Sequence, residues 1–480
     1  MDDRFSALSQ QLAYHILSFL SIDDLGRLMP VSRRCKSLCV SVPSLTVDNT
    51  NYTNGRISRQ RFNQFVGKFI DLRLRSGTKT QNLTLLWSFR GSLCDQKKKR
   101  KKWDDTLDPE ELLFGTCLSE LVSLGVERLS ISLMPQEGKP CVFPFYILKH
   151  ESLKDLAFCS NNSVLIFISS TYFYCSKLQS LTLQSARIDE ECFCDIISGL
   201  CYLESLYLYD CSGLVDIRIH SSSLKQLKIV SEKRVELCNL HVVARNLEKI
   251  FLTWYPANVM NTFDIICSKS VLQDFVWYGY PTNFFHRRDW SHIQCAALYL
   301  TLPPGTEVGS TYEYNLLHIL PVIGRSAKVL RLHAETIKIL HRFGRLQSLD
   351  EVRNLAIDYC FLTDDQVPIV AFFLKAISCL ETFLLTSSRA IADGNGEDLG
   401  FDVEFWEKQG LRFIDGLKKA TVEVHREEGN DMELVKYLVK HAGDLEYLTI
   451  VCTPSLASGV SERLKSYMKA STKLEIVVRA

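Results

Sequence analysis

The chain has 480 residues, too many for one ordinary hydrophobic core, and its 46% hydrophobic and 23% charged residues are typical of a folded globular protein. Its 56 Lys and Arg residues balance 55 Asp and Glu residues, which argues against a general nucleic-acid-binding protein. The 17 Cys residues show no disulfide framework, no signal peptide is evident, and the longest apolar run, 164–174, is too short to span a bilayer. We therefore expect a protein of the nucleus, the cytoplasm or both, with no membrane or nucleic-acid partner.

The first 45 residues are rich in apolar side chains at helical spacing, and they predict three short helices. The stripe of the first helix consists of Leu8, Leu12, Ile16 and Phe19. Ser21 or Asp23 can cap the second helix, Pro30 ends it, and the third runs over about 32–40. Helices this small cannot bury so many apolar side chains among themselves. They form either a cap packed on the rest of the chain or a docking module for another protein, and composition alone favours neither.

The same stretch resembles an F-box. The resemblance is carried by the segments Leu8–Leu12, His15–Leu20, Asp24–Leu25 and Val31–Leu38, and the continuation Val42-Pro-Ser-Leu-Thr46 resembles plant members. It implies binding to a Skp-type adaptor and, through it, to a cullin of a ubiquitin ligase. Carried over by position, the adaptor-facing residues would be Leu8, Leu12, Ile16, Leu17, Leu20, Leu25, Val31 and Leu38.

The chain departs from the F-box pattern at three positions. The family usually has Pro where Ser9 stands, and Trp where Cys35 and Cys39 stand. We expect Ser9 to loosen the turn into the first helix. We also expect the two Cys side chains to shrink the contact surface of the third helix.

A run of basic residues follows this region: Lys97, Lys98, Lys99, Arg100, Lys101 and Lys102. Successive like charges repel one another, so the run predicts a solvated loop. An exposed basic run is also what a nuclear import signal requires, and both interpretations stay open. A phosphate-binding role is less favoured, because no aromatic residues interleave with the basic ones.

One short pattern, L-x-x-L-x-L, recurs along the rest of the chain. The clearest copies are SLKDLAF from Ser152, KLQSLTL from Lys177, YLESLYL from Tyr202, SLKQLKI from Ser223, NLEKIFL from Asn246 and VLQDFVW from Val271. Weaker copies are GVERLSI, QCAALYL, SAKVLRL, EVRNLAI, CLETFLL, GLKKATV and DLEYLTI, from Gly125, Gln294, Ser326, Glu351, Cys379, Gly416 and Asp444. The clear copies recur every 21 to 25 residues, inside the period range of leucine-rich repeats.

Each copy predicts one short strand with its Leu side chains facing inward, and stacked neighbours supply the core. The strands are expected to line a concave face, and helices, 3₁₀ turns or loops return the chain on the convex face. The wider gaps from residue 326 to 416 predict inserted loops or imperfect coils. The predicted class is α/β: a three-helix F-box over 1–45, a leucine-rich-repeat solenoid with a curved parallel sheet over 46–378, and terminal repeats over 379–480.

The C-terminal stretch predicts the order helix, strand, helix, strand. These elements are Leu434–Leu438, the strand DLEYLTIV, Glu462–Lys469 and Leu474–Val478. The order resembles the FBD-type ending found after plant F-box and leucine-rich-repeat segments. Such an ending would close the exposed edge of a repeat array.

No motif for catalysis is present, neither a G-x-x-x-x-G-K-[ST] loop nor a G-x-S-x-G elbow, and we expect no cofactor. His286, Asp289 and His292 form the nearest approach to a ligand cluster, but one short segment offers few convergent ligands, so no metal is expected. Two function classes therefore compete, with an enzyme least favoured. The chain is either the substrate-recognition subunit of a Skp-cullin-F-box ubiquitin ligase or a non-ligase repeat scaffold with a degenerate F-box.

The outer positions of the predicted strands carry aromatic and basic residues. Because strand side chains alternate, these residues are expected to share one continuous concave surface that binds an unknown protein target. They are Tyr207, Tyr209, Lys228, Phe251, Tyr278, Tyr299, Arg331 and His333. Rings next to Lys and Arg match the composition of interface hot spots. The alternatives are that the rings stack only to stabilise the sheet, or that loops cover them.

Overall fold

A computed structural model gives the fold. It describes residues 5, 8–52, 56–89, 109–134, 141–161, 164–166, 177–231, 237–256, 258, 260–267, 272–286, 293–307, 309–324, 326–342, 344, 346–359, 362–386, 400–467 and 472–479. The chain divides into two compact units, Met1–Arg245 and Asn246–Ala480, called unit 1 and unit 2. The predicted domain boundaries at 45/46 and 378/379 stay predictions.

Unit 1 begins with three short helices, as predicted: α1 (Gln10–Leu17), α2 (Ile22–Leu28) and α3 (Arg33–Ser41). Each is preceded by a Ser N-cap whose side-chain oxygen accepts a hydrogen bond from the backbone N–H three residues later. The capping residues are Ser9, Ser21 and Ser32. Further helices of this unit are α4 (Arg56–Ser76), α5 (Pro109–Ser123) and α6 (Glu190–Gly199).

The strands of unit 1 form a main parallel sheet and smaller sheets beside it. They are β1 (Ser44–Asp48), β2 (Asn82–Ser88), β3 (Arg128–Met134), β4 (Cys141–Val142), β5 (Asp155–Cys159), β6 (Val164–Ile166), β7 (Ser180–Gln184), β8 (Arg187–Ile188), β9 (Ser205–Tyr209), β10 (Asp216–Ser221), β11 (Gln226–Val230) and β12 (Asn239–Ala244). The main sheet has the order β1-β2-β3-β5-β7-β9-β11. Strands β4, β6 and β8 pair in parallel with one another, as do β10 and β12.

Unit 2 repeats this arrangement. Its strands are β13 (Lys249–Trp254), β14 (Thr262–Ile266), β15 (Asp274–Gly279), β16 (Asn283–His286), β17 (Cys295–Leu300), β18 (Val329–His333), β19 (Asn354–Asp358), β20 (Thr382–Thr386), β21 (Lys419–Glu423), β22 (Tyr447–Cys452) and β23 (Lys473–Val478). Its helices are α7 (Thr311–Gly324), α8 (Ala334–Arg342), α9 (Val367–Leu374), α10 (Val403–Lys408), α11 (Asn430–His441) and α12 (Ala457–Lys465). The main sheet has the parallel order β13-β15-β17-β18-β19-β20-β21-β22-β23, with β14 paired to β16 beside it.

The repeat copies form the main-sheet strands in the predicted register. On β9, for example, Leu206 and Leu208 are buried, whereas Tyr207 and Tyr209 lie half-buried on the other face. The prediction of a parallel sheet built from these copies is therefore confirmed. We call the side of each main sheet that carries such alternate residues its strand face.

Some elements differ from the prediction. The return segments contain the strands β10, β12, β14 and β16, where only helices, 3₁₀ turns or loops were expected. The wide gaps after residues 326 and 351 hold α8 and α9, so they are not simply loops. The repeat pattern also missed β2, because the buried Thr80 stands where the copies have their first Leu.

The C-terminal order helix, strand, helix, strand is as predicted, although α12 begins at Ala457, earlier than expected. Along the residues that the structure describes, no helix has both the length and the apolar character needed to cross a membrane.

Candidate functional site

The N-terminal helices expose a set of apolar side chains. Their exposed fractions are 54% for Leu12, 43% for Ile16, 76% for Phe19 and 67% for Val31, and we call these four residues the docking face. Leu12, Ile16 and Phe19 follow one another at helical spacing along α1 and just beyond it. Phe19 makes an edge-to-face contact with His15, with ring centroids 5.1 Å apart. An apolar set this exposed indicates a protein-binding surface.

Three of the residues assigned by resemblance to the adaptor are in the interior, which corrects that assignment. Leu17 and Leu25 are fully buried and Leu38 is 7% exposed. Leu17 lies with Ala13 on the side of α1 that faces the other helices, next to the exposed stripe of Leu12 and Ile16. These side chains hold the helices together and are not available to a partner. Leu8 and Leu20 are half-buried, and their role stays a prediction.

The resemblance also missed a residue. Phe19 is the most exposed member of the docking face, yet it was placed only in the helical stripe and not among the adaptor-facing residues. Its position seven residues after Leu12 was the signal that could have identified it.

The departures from the F-box pattern have a structural account. Ser9 caps α1, its Oγ accepting from the Leu12 N–H at 3.4 Å, so the turn keeps a stabilising contact. Cys35 and Cys39 are buried, and burial raises the pKa of the Cys39 thiol to about 11. Both thiols face the interior of the chain, and the expectation that they shrink the contact surface of the third helix stays a prediction.

The docking helices are fixed to the repeats through Arg73 of α4. Its fully buried guanidinium donates to the carbonyl oxygens of Val40 at 2.7 Å and Val42 at 2.9 Å, and to Thr80 Oγ1 at 3.0 Å. Burial lowers the pKa of Arg73 to about 10. These bonds join the end of α3 to α4 and to Thr80, which lies just before β2, and we call this set of contacts the Arg73 mount of the docking face.

On the strand face of unit 1, the predicted residues contact their neighbours. Tyr207 donates to Gln226 Oε1 at 2.7 Å, and Lys228 Nζ lies 5.3 Å from the ring centroid of Tyr209. All three predicted side chains are half-buried. Two tyrosine rings and one lysine ammonium group therefore lie together on this face.

On the strand face of unit 2, the predicted aromatic residues stack. Tyr278 and Tyr299 are parallel to within 2°, with centroids 4.4 Å apart, and Phe251 lies 5.7 Å from Tyr278. Burial, with smaller contributions from Tyr278 and Asp358, raises the pKa of Tyr299 to about 12. The three rings therefore support one another, and the two tyrosine hydroxyls remain protonated at physiological pH. The single surface predicted for all eight residues stays a prediction.

Arg331 and His333 lie on the next strand, β18. Arg331 is exposed and stands in register between two small side chains, Ala297 and Ala356. Within the described residues it has no ion pair. His333 Nδ1 accepts from the backbone N–H of Glu335 at 3.3 Å, so its imidazole is turned toward the start of α8.

A second cluster on the strand face of unit 2 was missed. Lys419, Tyr447 and Lys473 lie in register on β21, β22 and β23, and we call them the Lys–Tyr–Lys cluster. The copies GLKKATV and DLEYLTI predict two of these strands, and Lys419 and Tyr447 occupy their outer positions. Those positions were the available signal.

No group of three or more His, Cys, Asp and Glu side chains among the described residues is arranged to hold a metal ion. The basic run from Lys97 to Lys102 lies outside the described residues. So do Asp289, His292 and the side chain of His286.

Comparisons with known proteins agree with this architecture. An F-box domain model matches residues 5–46, and a model for the LRR repeats of the FBD-associated F-box protein At5g56370 matches residues 114–268. The chain is 23% identical to F-box/LRR-repeat protein 13 of Arabidopsis thaliana over 490 residues, covering 99% of this chain and 96% of the relative. It is 25% identical to the putative F-box/LRR-repeat protein At3g59170 of the same plant, over 50% of this chain and 52% of that relative.

Proposed function

We propose that this chain, which carries an F-box domain and leucine-rich repeats, is the substrate-recognition subunit of a Skp-cullin-F-box ubiquitin ligase. Its N-terminal helices bind a Skp-type adaptor, and the adaptor connects it to a cullin. Its repeats capture a protein target. The observation that carries the proposal is the exposed docking face, Leu12, Ile16, Phe19 and Val31, on a module that matches an F-box domain model.

The docking face suits an apolar partner groove. The Phe19 ring and the three aliphatic side chains are exposed, whereas the side chains that hold the three helices together are already buried. Removing exposed apolar area from water on binding is favourable, at about 25 cal/mol per Å². The Arg73 contacts contribute by holding the end of α3 against α4, so less conformational entropy is lost when a partner binds.

We assign target capture to the strand faces. Stacked Tyr278 and Tyr299 beside exposed Arg331 have the aromatic and guanidinium composition of interface hot spots. In this role the chain needs no catalytic residue. The complex would accelerate ubiquitin transfer by holding the target near the transfer enzyme, which raises its effective concentration.

The adaptor-binding step is tested by co-purification. The double variant L12E/I16E should lose the Skp-type adaptor and the cullin, because each new carboxylate would be buried unpaired in the contact. The matched control is L112E/M260E, which changes two apolar residues outside the docking helices that are at least as exposed as Leu12 and Ile16. Adaptor recovery with the control and not with L12E/I16E supports the proposal. If the parent protein recovers no adaptor, the chain is instead a repeat scaffold without ligase function.

Nuclear import through Lys97–Lys102 is also part of the proposal. Replacing the run with neutral residues should shift a fluorescently tagged protein out of the nucleus. Because the untagged chain is 54.9 kDa, a large tag is needed to suppress slow passive entry. An unchanged distribution, with an unchanged melting temperature, would leave the run as a solvated loop only.

A further inference from the structure

The Lys–Tyr–Lys cluster gathers two cations around one aromatic ring. Lys419 Nζ lies 5.3 Å from the ring centroid of Tyr447, and Lys473 Nζ lies 5.5 Å from the same centroid. Both lysines are in register with Tyr447, one on the preceding strand and one on the following strand. The ring itself is 43% exposed, so the cluster is open to a partner.

Other lysines of the same sheet have acidic partners. Lys249 pairs with Asp274 at 3.2 Å, and Lys418 pairs with Glu381 at 3.3 Å. In the portion of the chain described by the structure, neither lysine of the cluster has an ion pair. The neighbouring outer positions are Thr421, Thr449 and Glu475, which supply two hydroxyls and one carboxylate. The cluster therefore keeps an excess of positive charge.

Two ammonium groups around one ring repel each other, although each is attracted to the ring face. They lie on strands two spacings apart, roughly 10 Å, which is about one Debye length at physiological salt. An anion placed over the cluster would remove the repulsion and form charge-assisted hydrogen bonds with both lysines.

We infer that the Lys–Tyr–Lys cluster binds an acidic, extended protein segment, with two carboxylates two or three residues apart. An extended chain advances about 3.3 Å per residue, so that spacing carries the carboxylates from one lysine toward the other. The exposed Tyr447 ring supplies an apolar platform for the residues between them. This inference rests on the proposed function, because it gives the chemistry of the target that the repeats would capture.

The test uses the purified full chain and a fluorescein-labelled peptide of about 12 residues, made of Gly and Ser with Glu at every third position. A peptide with Gln in place of Glu is the probe control. Fluorescence anisotropy should show binding of the Glu peptide at about 50 mM salt and weaker binding at about 300 mM. The variant K419Q/K473Q should weaken that binding about fivefold to tenfold. Y447A should weaken binding of the Glu peptide less than K419Q/K473Q does, and Y447F, which keeps the ring, should bind the peptide as the parent does.

The matched variant is K225Q/K249Q, which removes the same net charge at two lysines that are already ion-paired with Glu204 and Asp274. It should bind the Glu peptide as the parent does. Equal weakening in both double variants, equal binding of the Gln peptide, or no binding by the parent would each overturn the inference. So would lysine-dependent binding of phosphatidylserine vesicles without binding of the peptide, which would indicate a membrane surface. Adaptor recovery is measured on the same variants, so that failure of the proposed function is seen separately.

Discussion

The N-terminal helices and the strand face of unit 2 both present aromatic and aliphatic groups, but they do so differently. Leu12, Phe19 and Val31 stand in water with most of their surface uncovered. Tyr278 and Tyr299 stack on each other, so each ring already covers part of its neighbour. A group that contacts little within its own chain contributes little to folding, whereas a stacked ring contributes to the sheet as well as to any partner. The side chains of the docking face therefore contribute mainly to binding, whereas the stacked rings also contribute to the stability of the sheet.

The largest stability effect should come from the mount beneath the docking face. Replacing Arg73 with Met leaves the carbonyls of Val40 and Val42 and the Thr80 hydroxyl without their donor, and we expect a loss of about 2–4 kcal/mol in the free energy of unfolding. Denaturant titration measures it. The control is R128M, whose exposed guanidinium makes only a 3.6 Å surface pair with Asp155 and should change stability by no more than about 0.5 kcal/mol. Equal losses of unfolding free energy in both variants would contradict the stabilising role assigned to Arg73.

A smaller effect should separate the two surfaces directly. We expect Y299A to lower the free energy of unfolding by about 1–2 kcal/mol, because the stack with Tyr278 is lost. F19A should leave stability within about 0.5 kcal/mol of the parent and weaken adaptor binding by about tenfold or more. Thermal melts and adaptor titrations of both variants give the answer. The comparison fails if F19A destabilises the chain more than Y299A does.

The smallest effect should come from the cap of α1. Replacing Ser9 with Ala removes the acceptor for the Leu12 N–H and should cost about 1 kcal/mol of local helix stability. Amide hydrogen exchange should then speed up along Gln10–Leu17 and stay unchanged on β15 and β17. Unchanged exchange in α1 would mean that the cap does not stabilise this helix.

The strand register could be predicted from the sequence, because the alternation of Leu206, Tyr207 and Leu208 allows only one face to be buried. The three N-terminal helices could be predicted from the spacing of their apolar residues, with Ser21 as a candidate cap of α2. The return strands such as β10 and β12 could not, because short strands depend on the neighbours they pair with.

The sequence alone also could not show which side of α1 is exposed. The stripe of Leu12 and Ile16 and the adjacent stripe of Ala13 and Leu17 are both apolar, and only the packing of the other helices decides which one faces inward. The Lys–Tyr–Lys cluster needed the pairing of three strands that lie more than twenty residues apart in the chain.

The most direct measurement of the central claim is hydrogen–deuterium exchange of the full chain with and without a purified Skp-type adaptor. Binding through the docking face predicts slower exchange over residues 10–20 and around Val31, with no change over the stacked strands at Tyr278 and Tyr299. The L12E/I16E variant should show no adaptor-dependent change anywhere. Protection that appears on the strands and not on α1, or adaptor binding that leaves residues 10–20 unprotected, would contradict the assignment of the N-terminal helices as the adaptor-binding surface.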